Sequence, residues 1–122
     1  MASNLAYLFV CLAGITILFH LALIFGAPFG HLTQGRTQKG PLPMAARAFA
    51  LVSVIMLLLM SGAILSAAGL WPFWADWTGW LTVAILGLGV LLNGITPSQA
   101  EKRLWLPVST LMFFAAIGVL VL

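Results

Sequence analysis

Four long apolar segments constrain this chain more than any other feature, because each is about the length of a membrane-spanning helix. They predict helices over residues 4–25, 43–68, 79–95 and 104–122. Only 6% of the 122 residues are charged, whereas a soluble domain needs roughly a quarter to cover its surface. The sequence therefore predicts an all-α, polytopic membrane protein, a four-transmembrane-helix bundle with short loops that forms a single integral membrane domain over residues 1–122.

The first apolar segment is predicted to be a retained helix and not a cleaved targeting signal. It follows Met-Ala-Ser-Asn, which contains no basic residue, and its run from Leu5 to Phe25 is too long for the core of a signal peptide. Small residues occur in all four segments, and in lipid they let helix backbones approach closely. We expect a compact bundle and leave self-association open.

Basic residues predict the orientation in the membrane. All five lie in or beside the first and third connections, and the second connection contains none. By the positive-inside rule, the first and third connections face the cytoplasm and both termini lie on the outer side. The five residues are Arg36, Lys39, Arg47, Lys102 and Arg103.

Tryptophan marks the second connection, where four of the five tryptophans recur at every third position between residues 71 and 80. Tryptophan concentrates at the boundary between membrane and water. We therefore interpret this stretch as a short interfacial turn. An aromatic cage for a carbohydrate or a quaternary ammonium group is the alternative. The predicted headgroup or interface residues are Arg36, Lys39, Lys102, Arg103, Trp71, Trp74, Trp77, Trp80 and Trp105.

The densest polar run of the chain, residues 93–107, forms the third connection and the start of the fourth helix. Asn93 comes near the end of the third helix, just before a glycine that favours a helix C-cap. Thr96, Pro97 and Gln99 then have the order of an N-cap, a first-turn proline and a capping-box partner. This pattern predicts a sharply ended turn at the membrane surface.

A polar cluster is predicted at the cytoplasmic ends of the helices, where the topology brings together His20, Arg47, Asn93 and Glu101. Two interpretations remain open. Ionisable residues within a membrane are candidates for function because burying them is costly, so the cluster is a candidate proton or ligand site. Alternatively, His20 forms an interhelical hydrogen bond with Asn93 or a neighbouring hydroxyl, a clamp of about 1 kcal/mol.

The first and third connections also carry the most distinctive motifs. His20 precedes Phe25-Gly26-Ala27-Pro28-Phe29-Gly30-His31, the basic glycine-rich loop closes with Leu42-Pro43 and Arg47, and Asn93 precedes Thr96-Pro97-Ser98, Glu101, Arg103, Trp105 and Pro107. In these motifs the chain resembles a family of small, uncharacterised bacterial four-helix inner-membrane proteins. The resemblance covers most of the chain and implies a four-helix fold in a bacterial inner membrane. It implies no activity and no catalytic residue.

Several function classes lack the residues they need. The only acids, Asp76 and Glu101, fall in predicted turns, so the first-helix carboxylate of a small multidrug transporter is missing. His20 in a span and His31 in a loop do not match as haem ligands. The single cysteine, Cys11, suggests no metal site or disulfide, and no nucleophile with a matching base is evident. No catalytic, cofactor-binding or metal-binding residue and no cofactor is predicted.

The remaining hypotheses are binding and structural roles. The first is a non-enzymatic protein that is accessory to a membrane complex or self-associating, with the lipid bilayer, further copies or a larger membrane complex as partners and no nucleic acid. The alternative is a carrier or binder of a small apolar or anionic compound that uses the polar cluster. Weak enzymatic activity on a lipid-soluble substrate is a third.

Overall fold

The computed structural model describes all 122 residues and consists of four long α-helices with no strand. Each helix is long and apolar enough to cross a membrane, which confirms the predicted all-α bundle and identifies a multi-pass membrane protein. The helices are α1 (Ala2–Ile24), α2 (Met44–Ala67), α3 (Trp77–Ile95) and α4 (Gln99–Val121), and a short 3₁₀-helix, Gly30–Leu32, lies in the first connection.

Glycine ends the first two helices by the same hydrogen-bonding pattern. After α1, the N–H of Gly26 donates to the carbonyl of Leu23, and the N–H of Ala27 donates to the carbonyl of Ala22. Gly26 has a φ of +97°, and Gly69 ends α2 with a φ of +81°. This is the Schellman motif, which satisfies carbonyls that would otherwise lack partners at a helix end. The predicted end of the first helix at residue 25 lies one residue beyond the end of α1 at Ile24.

The four helices pack around a core of small and medium-sized apolar side chains. α1 packs mainly on α2 and α4, α3 packs mainly on α4, and the contact between α2 and α3 is the loosest between neighbours. Large apolar side chains are exposed on the outer faces of the helices, as expected of surfaces that meet lipid. The largest group of buried residues is Ala6, Phe9, Ala13, Leu57, Met60, Ile64, Leu86, Met112, Ala115, Ala116 and Val119.

The tryptophan-rich second connection folds back onto α2. The backbone N–H of Trp74 donates to Ser66 Oγ at 2.8 Å, and its indole covers Gly62. The connection is shorter than predicted because α3 begins at Trp77, so Trp77 and Trp80 lie in the first turns of a helix. The turn between Ala68 and Asp76 agrees with the predicted non-helical segment.

The fourth helix begins at Gln99, several residues before the predicted start at residue 104. Its N-cap is Ser98 and not Thr96, because Ser98 Oγ accepts a hydrogen bond from the N–H of Glu101 at 3.2 Å. Pro107 lies inside α4 and does not end it. The polar residues of the third connection are therefore largely helical.

Replacing Gly62 by alanine tests the docking of the second connection. We expect Gly62→Ala to destabilise the protein by about 1–3 kcal/mol, because the added Cβ would lie 2.6 Å from the indole of Trp74. Thermal unfolding in a mild detergent, followed by tryptophan fluorescence, measures the effect. Gly14→Ala is the matched control, since a Cβ there meets nothing within 4 Å. Equal unfolding midpoints for the two variants would contradict this packing.

Candidate functional site

Glu101 is the central residue at the end of the bundle where the first and third connections meet. It lies in the first turn of α4 and is only 7% exposed. Its Oε2 accepts hydrogen bonds from the backbone N–H of Gly35, at 2.8 Å, and from the hydroxyl of Thr96, at 3.0 Å. Both donors are neutral. The position at the helix N-terminus favours a negative charge because the helix dipole is positive there.

A tight turn in the first connection positions the N–H of Gly35, which donates a hydrogen bond to Glu101. Gln34 and Gly35 occupy the centre of this turn with φ values of 54° and 68°, and the N–H of Arg36 donates to the carbonyl of Thr33 at 3.0 Å. Two successive positive φ angles are the signature of a type I′ turn. The side chain of Gln34 also donates to the carbonyl of Ala46, which ties the turn to α2.

Ser98 forms a second link between the same two connections. In addition to capping α4, its hydroxyl donates to the backbone carbonyl of His31. Its backbone N–H donates to Thr96 Oγ1 at 3.3 Å. The Nδ1 atom of His31 is buried and has no hydrogen-bond partner. The hydrogen bond that Ser98 donates to His31 and the one that Glu101 accepts from Gly35 therefore attach the first connection to the start of α4.

Three of the four residues of the predicted polar cluster line one cavity. This central cavity has a volume of about 170 Å³, and His20 from α1, Asn93 from α3 and Glu101 from α4 contribute to its wall. Thr33 and Trp105 also line it, and the remaining surface is mostly apolar. The structure thus brings together side chains from three helices that are far apart in sequence.

The predicted clamp joined His20 to Asn93 or to a neighbouring hydroxyl, and the ring of His20 forms neither hydrogen bond. His20 Nδ1 lies 2.8 Å from the carbonyl of Thr16, and because a carbonyl only accepts, the ring proton is on Nδ1. Asn93 Nδ2 donates to Ser109 Oγ at 3.0 Å, while the Ser109 hydroxyl donates to the carbonyl of Trp105 at 2.7 Å. The interhelical clamp is therefore between Asn93 and a hydroxyl of α4.

Arg47, the fourth residue of the predicted polar cluster, does not line the central cavity. Its Nε donates to the carbonyl of Leu42 at 2.8 Å. Its guanidinium packs beside Gly26, where a Cβ would lie 3.5 Å from Nη2. The side chain therefore folds back over the end of α1 and the preceding loop, because carbonyls near its own helix start are closer partners than Glu101.

Two further cavities extend the central one into a cleft between α2 and α3. One, of about 570 Å³, shares Thr33, Asn93 and Glu101 with it. The other, of about 300 Å³, shares residues of α1 with it and reaches deeper between the helices. We call the three together the α2–α3 cleft, lined from α2 by Ser53, Met56 and Leu57 and from α3 by Ile85, Gly89 and Asn93.

The predicted interface residues fall at the two ends of the bundle, with one exception. Arg36, Lys39, Lys102 and Arg103 belong to the end formed by the first and third connections, and Trp71, Trp74, Trp77 and Trp80 lie at or near the opposite end. Trp105 is different from the others. Its ring packs on Phe19 with a centroid separation of 4.8 Å and lines the central cavity, so it belongs to the site.

The sequence interpretation missed several residues of the site. Thr33, Gly35 and Ser109 were not recognised, and Ser98 was not identified as the cap of α4. The spacing Ser98-x-x-Glu101 is a capping-box pattern that predicts this cap. The pair Gln34-Gly35 predicts a turn but not its partner, since its contact with Glu101 joins residues 66 positions apart.

The side chains at the site are suited to hydrogen bonding. No group of three or more His, Cys, Asp and Glu residues has the arrangement of a metal site. No protein-family model matches the chain, and neither a curated protein nor a solved structure matches it. The carboxylate of Glu101, the amide of Asn93 and the imidazole of His20 share the central cavity.

Replacing Ser98 by alanine tests the attachment of the first connection. We expect Ser98→Ala to destabilise the protein by about 1–2 kcal/mol, because the helix cap and the bond to His31 are lost together. Limited trypsin digestion at Arg36 and Lys39 should become faster. Ser3→Ala is the control, since α1 has no side-chain cap. Unchanged stability and digestion of Ser98→Ala would contradict this role.

Proposed function

We propose that this membrane protein binds a small lipid-soluble amphiphile in the α2–α3 cleft, with the head of the ligand in the central cavity and its apolar part in the deeper part of the cleft. One observation carries the proposal: a mostly apolar cavity that contains the polar groups of His20, Asn93 and Glu101 continues between two helices whose outer faces are apolar. Ligand sites within helical bundles are typically formed in this way, by side chains of facing helices around a mostly apolar cavity.

The two parts of the cleft differ in polarity along the helices. His20 and Thr16 lie about one and two turns before the end of α1, so about 6 and 12 Å into the bundle. Deeper in the cleft the lining is apolar, with Met60 and Ile85, and Val52 at its edge is 54% exposed. An amphiphile that enters from the bilayer meets apolar surface first and polar groups at the inner end.

A binding role also accounts for the energetic cost of the site. A polar or ionisable side chain within a membrane-spanning bundle is unfavourable unless partners compensate it. His20, Asn93 and Glu101 each retain hydrogen-bonding capacity beyond their contacts within the protein. We assign the protein a binding or carrier function without a chemical step. An accessory or self-associating role stays a prediction from the sequence.

We assign the protein to a bacterial inner membrane, with the first and third connections in the cytoplasm and both termini outside. The resemblance noted above motivates the choice of membrane. The orientation is supported by the basic residues, which all lie in or near the two connections at one end of the bundle. The cavity end that contains Glu101 then faces the cytoplasmic side.

Cysteine labelling tests this orientation in intact cells. In a Cys11→Ser background, we expect a membrane-impermeant maleimide to label Ala75→Cys and to leave Gln38→Cys unlabelled until the cells are opened. Both positions are exposed, at opposite ends of the bundle. The positive-inside rule gives this result because residue 38 lies in the basic first connection. Labelling of position 38 from outside would overturn the orientation.

Filling the cleft tests the binding function. Ser53 lines both outer parts of the cleft, and its hydroxyl bonds only to the carbonyl of Phe49 in its own helix. We expect Ser53→Phe to abolish retention of an amphiphile that mass spectrometry detects in wild-type protein purified from membranes, because the ring occupies the cleft. Leu51→Phe, at an exposed position outside the cleft, is the matched control.

Two results of this experiment would contradict the proposed function. One is equal retention of the amphiphile by Ser53→Phe and Leu51→Phe. The other is purified wild-type protein that carries no amphiphile and that binds none of the three alkyl probes described below. Size-exclusion chromatography of each variant establishes that it is folded and comparable with the wild type.

A further inference from the structure

We infer that the ligand of the α2–α3 cleft carries a positively charged head, a protonated primary amine, that pairs with Glu101. This inference rests on the proposed function and specifies the chemical class of the ligand. It replaces the anionic compound considered from the sequence, because a ligand carboxylate or phosphate at this position would face the carboxylate of Glu101.

The hydrogen bonds of Glu101 leave one of its two oxygens free. Oε2 accepts from Gly35 and Thr96, whereas Oε1 accepts from no group of the protein. Oε1 has no partner within the protein and is not fully buried. It is therefore accessible from the cavities that Glu101 lines. A carboxylate buried to this extent thus presents an unused oxygen to the α2–α3 cleft.

The protein supplies no positive charge to Glu101. Both of its hydrogen-bond donors are neutral, and Arg47 is bonded to Leu42 beside Gly26. Arg36 lines a separate surface depression formed with residues 35, 37 and 38. Arg103 is exposed, and Lys102 does not line the central cavity. Buried charges in proteins are normally paired with an opposite charge, and a cationic ligand provides that pairing here.

Two more free acceptors border the same cavity. Because His20 Nδ1 donates to Thr16, the neutral ring presents Nε2 as an acceptor. Because the Ser109 proton is given to Trp105, Ser109 Oγ accepts from Asn93 Nδ2, and the amide is oriented with Oδ1 free. His20 Nε2 and Asn93 Oδ1 have no partner within the protein and are not fully buried, so both atoms are accessible.

The number and placement of these acceptors match an alkylammonium head. A primary ammonium group has three N–H donors. Glu101 Oε1, His20 Nε2 and Asn93 Oδ1 come from three helices around one cavity of about 170 Å³. An N⁺–H to carboxylate hydrogen bond is also roughly twice as strong as a neutral one. The alkyl chain extends along Leu57, Met60 and Ile85 into the apolar part of the cleft.

Three probes with the same chain and different heads test the inference. We would measure the binding of dodecylamine, dodecanol and dodecanoate to the purified protein in an uncharged detergent, using the fluorescence of Trp105 in a variant whose other tryptophans are replaced by phenylalanine. The wild-type binding site should prefer dodecylamine to dodecanol by about tenfold, because the charged pair strengthens the contact. Dodecanoate should bind more weakly than dodecanol.

Glu101→Gln should remove the preference for the amine, so that dodecylamine no longer binds more tightly than dodecanol. Glutamine retains an oxygen that accepts from Gly35 and Thr96, so the attachment of the first connection is preserved. Asp76→Asn is the matched control, since it removes the only other acid of the chain, with the same change of net charge, at an exposed position at the other end. It should keep the preference.

The outcomes separate this inference from the proposed function. Equal binding of all three probes that Ser53→Phe abolishes would overturn the cationic head and leave the binding function standing. Tighter binding of dodecanoate, or a preference for dodecylamine that persists in Glu101→Gln, would also overturn it. Absence of binding by every probe would count against both. If Glu101→Gln does not fold, the comparison of the three probes on the wild type decides, with Asn93→Leu as the variant that removes a second acceptor.

Discussion

The hydrogen bonds that Glu101 accepts organise one whole end of this bundle. The first connection is long, rich in glycine and proline, and has only one turn of 3₁₀-helix. Irregular backbone at the edge of a membrane needs partners for its polar groups. Glu101 and Ser98, in and just before the first turn of α4, bind Gly35 and His31 and so supply two of them. The dipole of the same helix favours the negative charge that this arrangement requires.

The rest of the fold has the opposite character, since its helices are held by close contact of small apolar surfaces. Alanine recurs among the most buried positions, and Gly62 receives an indole ring directly on its backbone. Such packing replaces the hydrophobic drive that lipid removes. α2 and α3 lack this close packing, and the α2–α3 cleft lies between them. The polar end and the cleft are therefore parts of one feature, an incompletely closed bundle.

Much of the fold was predictable from the sequence, because length and hydropathy determine a membrane helix almost alone. Gly26 follows the end of α1. Because successive spanning helices run in opposite directions, the two basic connections lie at the same end of the bundle. The site was only partly predictable. Helix direction brings His20, Asn93 and Glu101 to a similar depth, but the side-chain direction of Arg47 and Trp105 depends on local partners. Arg47 reaches a carbonyl five residues away, and Trp105 turns inward onto Phe19.

The two oxygens of Glu101 have different contacts, and in the proposed binding function this division links ligand binding to the order of the first connection. Oε2 holds the turn at Gly35, while Oε1 faces the cleft. A cation bound at Oε1 lowers the cost of keeping the carboxylate buried, and the buried carboxylate is what the turn binds. Coupling of this kind is reciprocal. Docking of the first connection therefore strengthens ligand binding by the same free energy by which the ligand stabilises docking. Detachment of the turn at Gly35 weakens ligand binding.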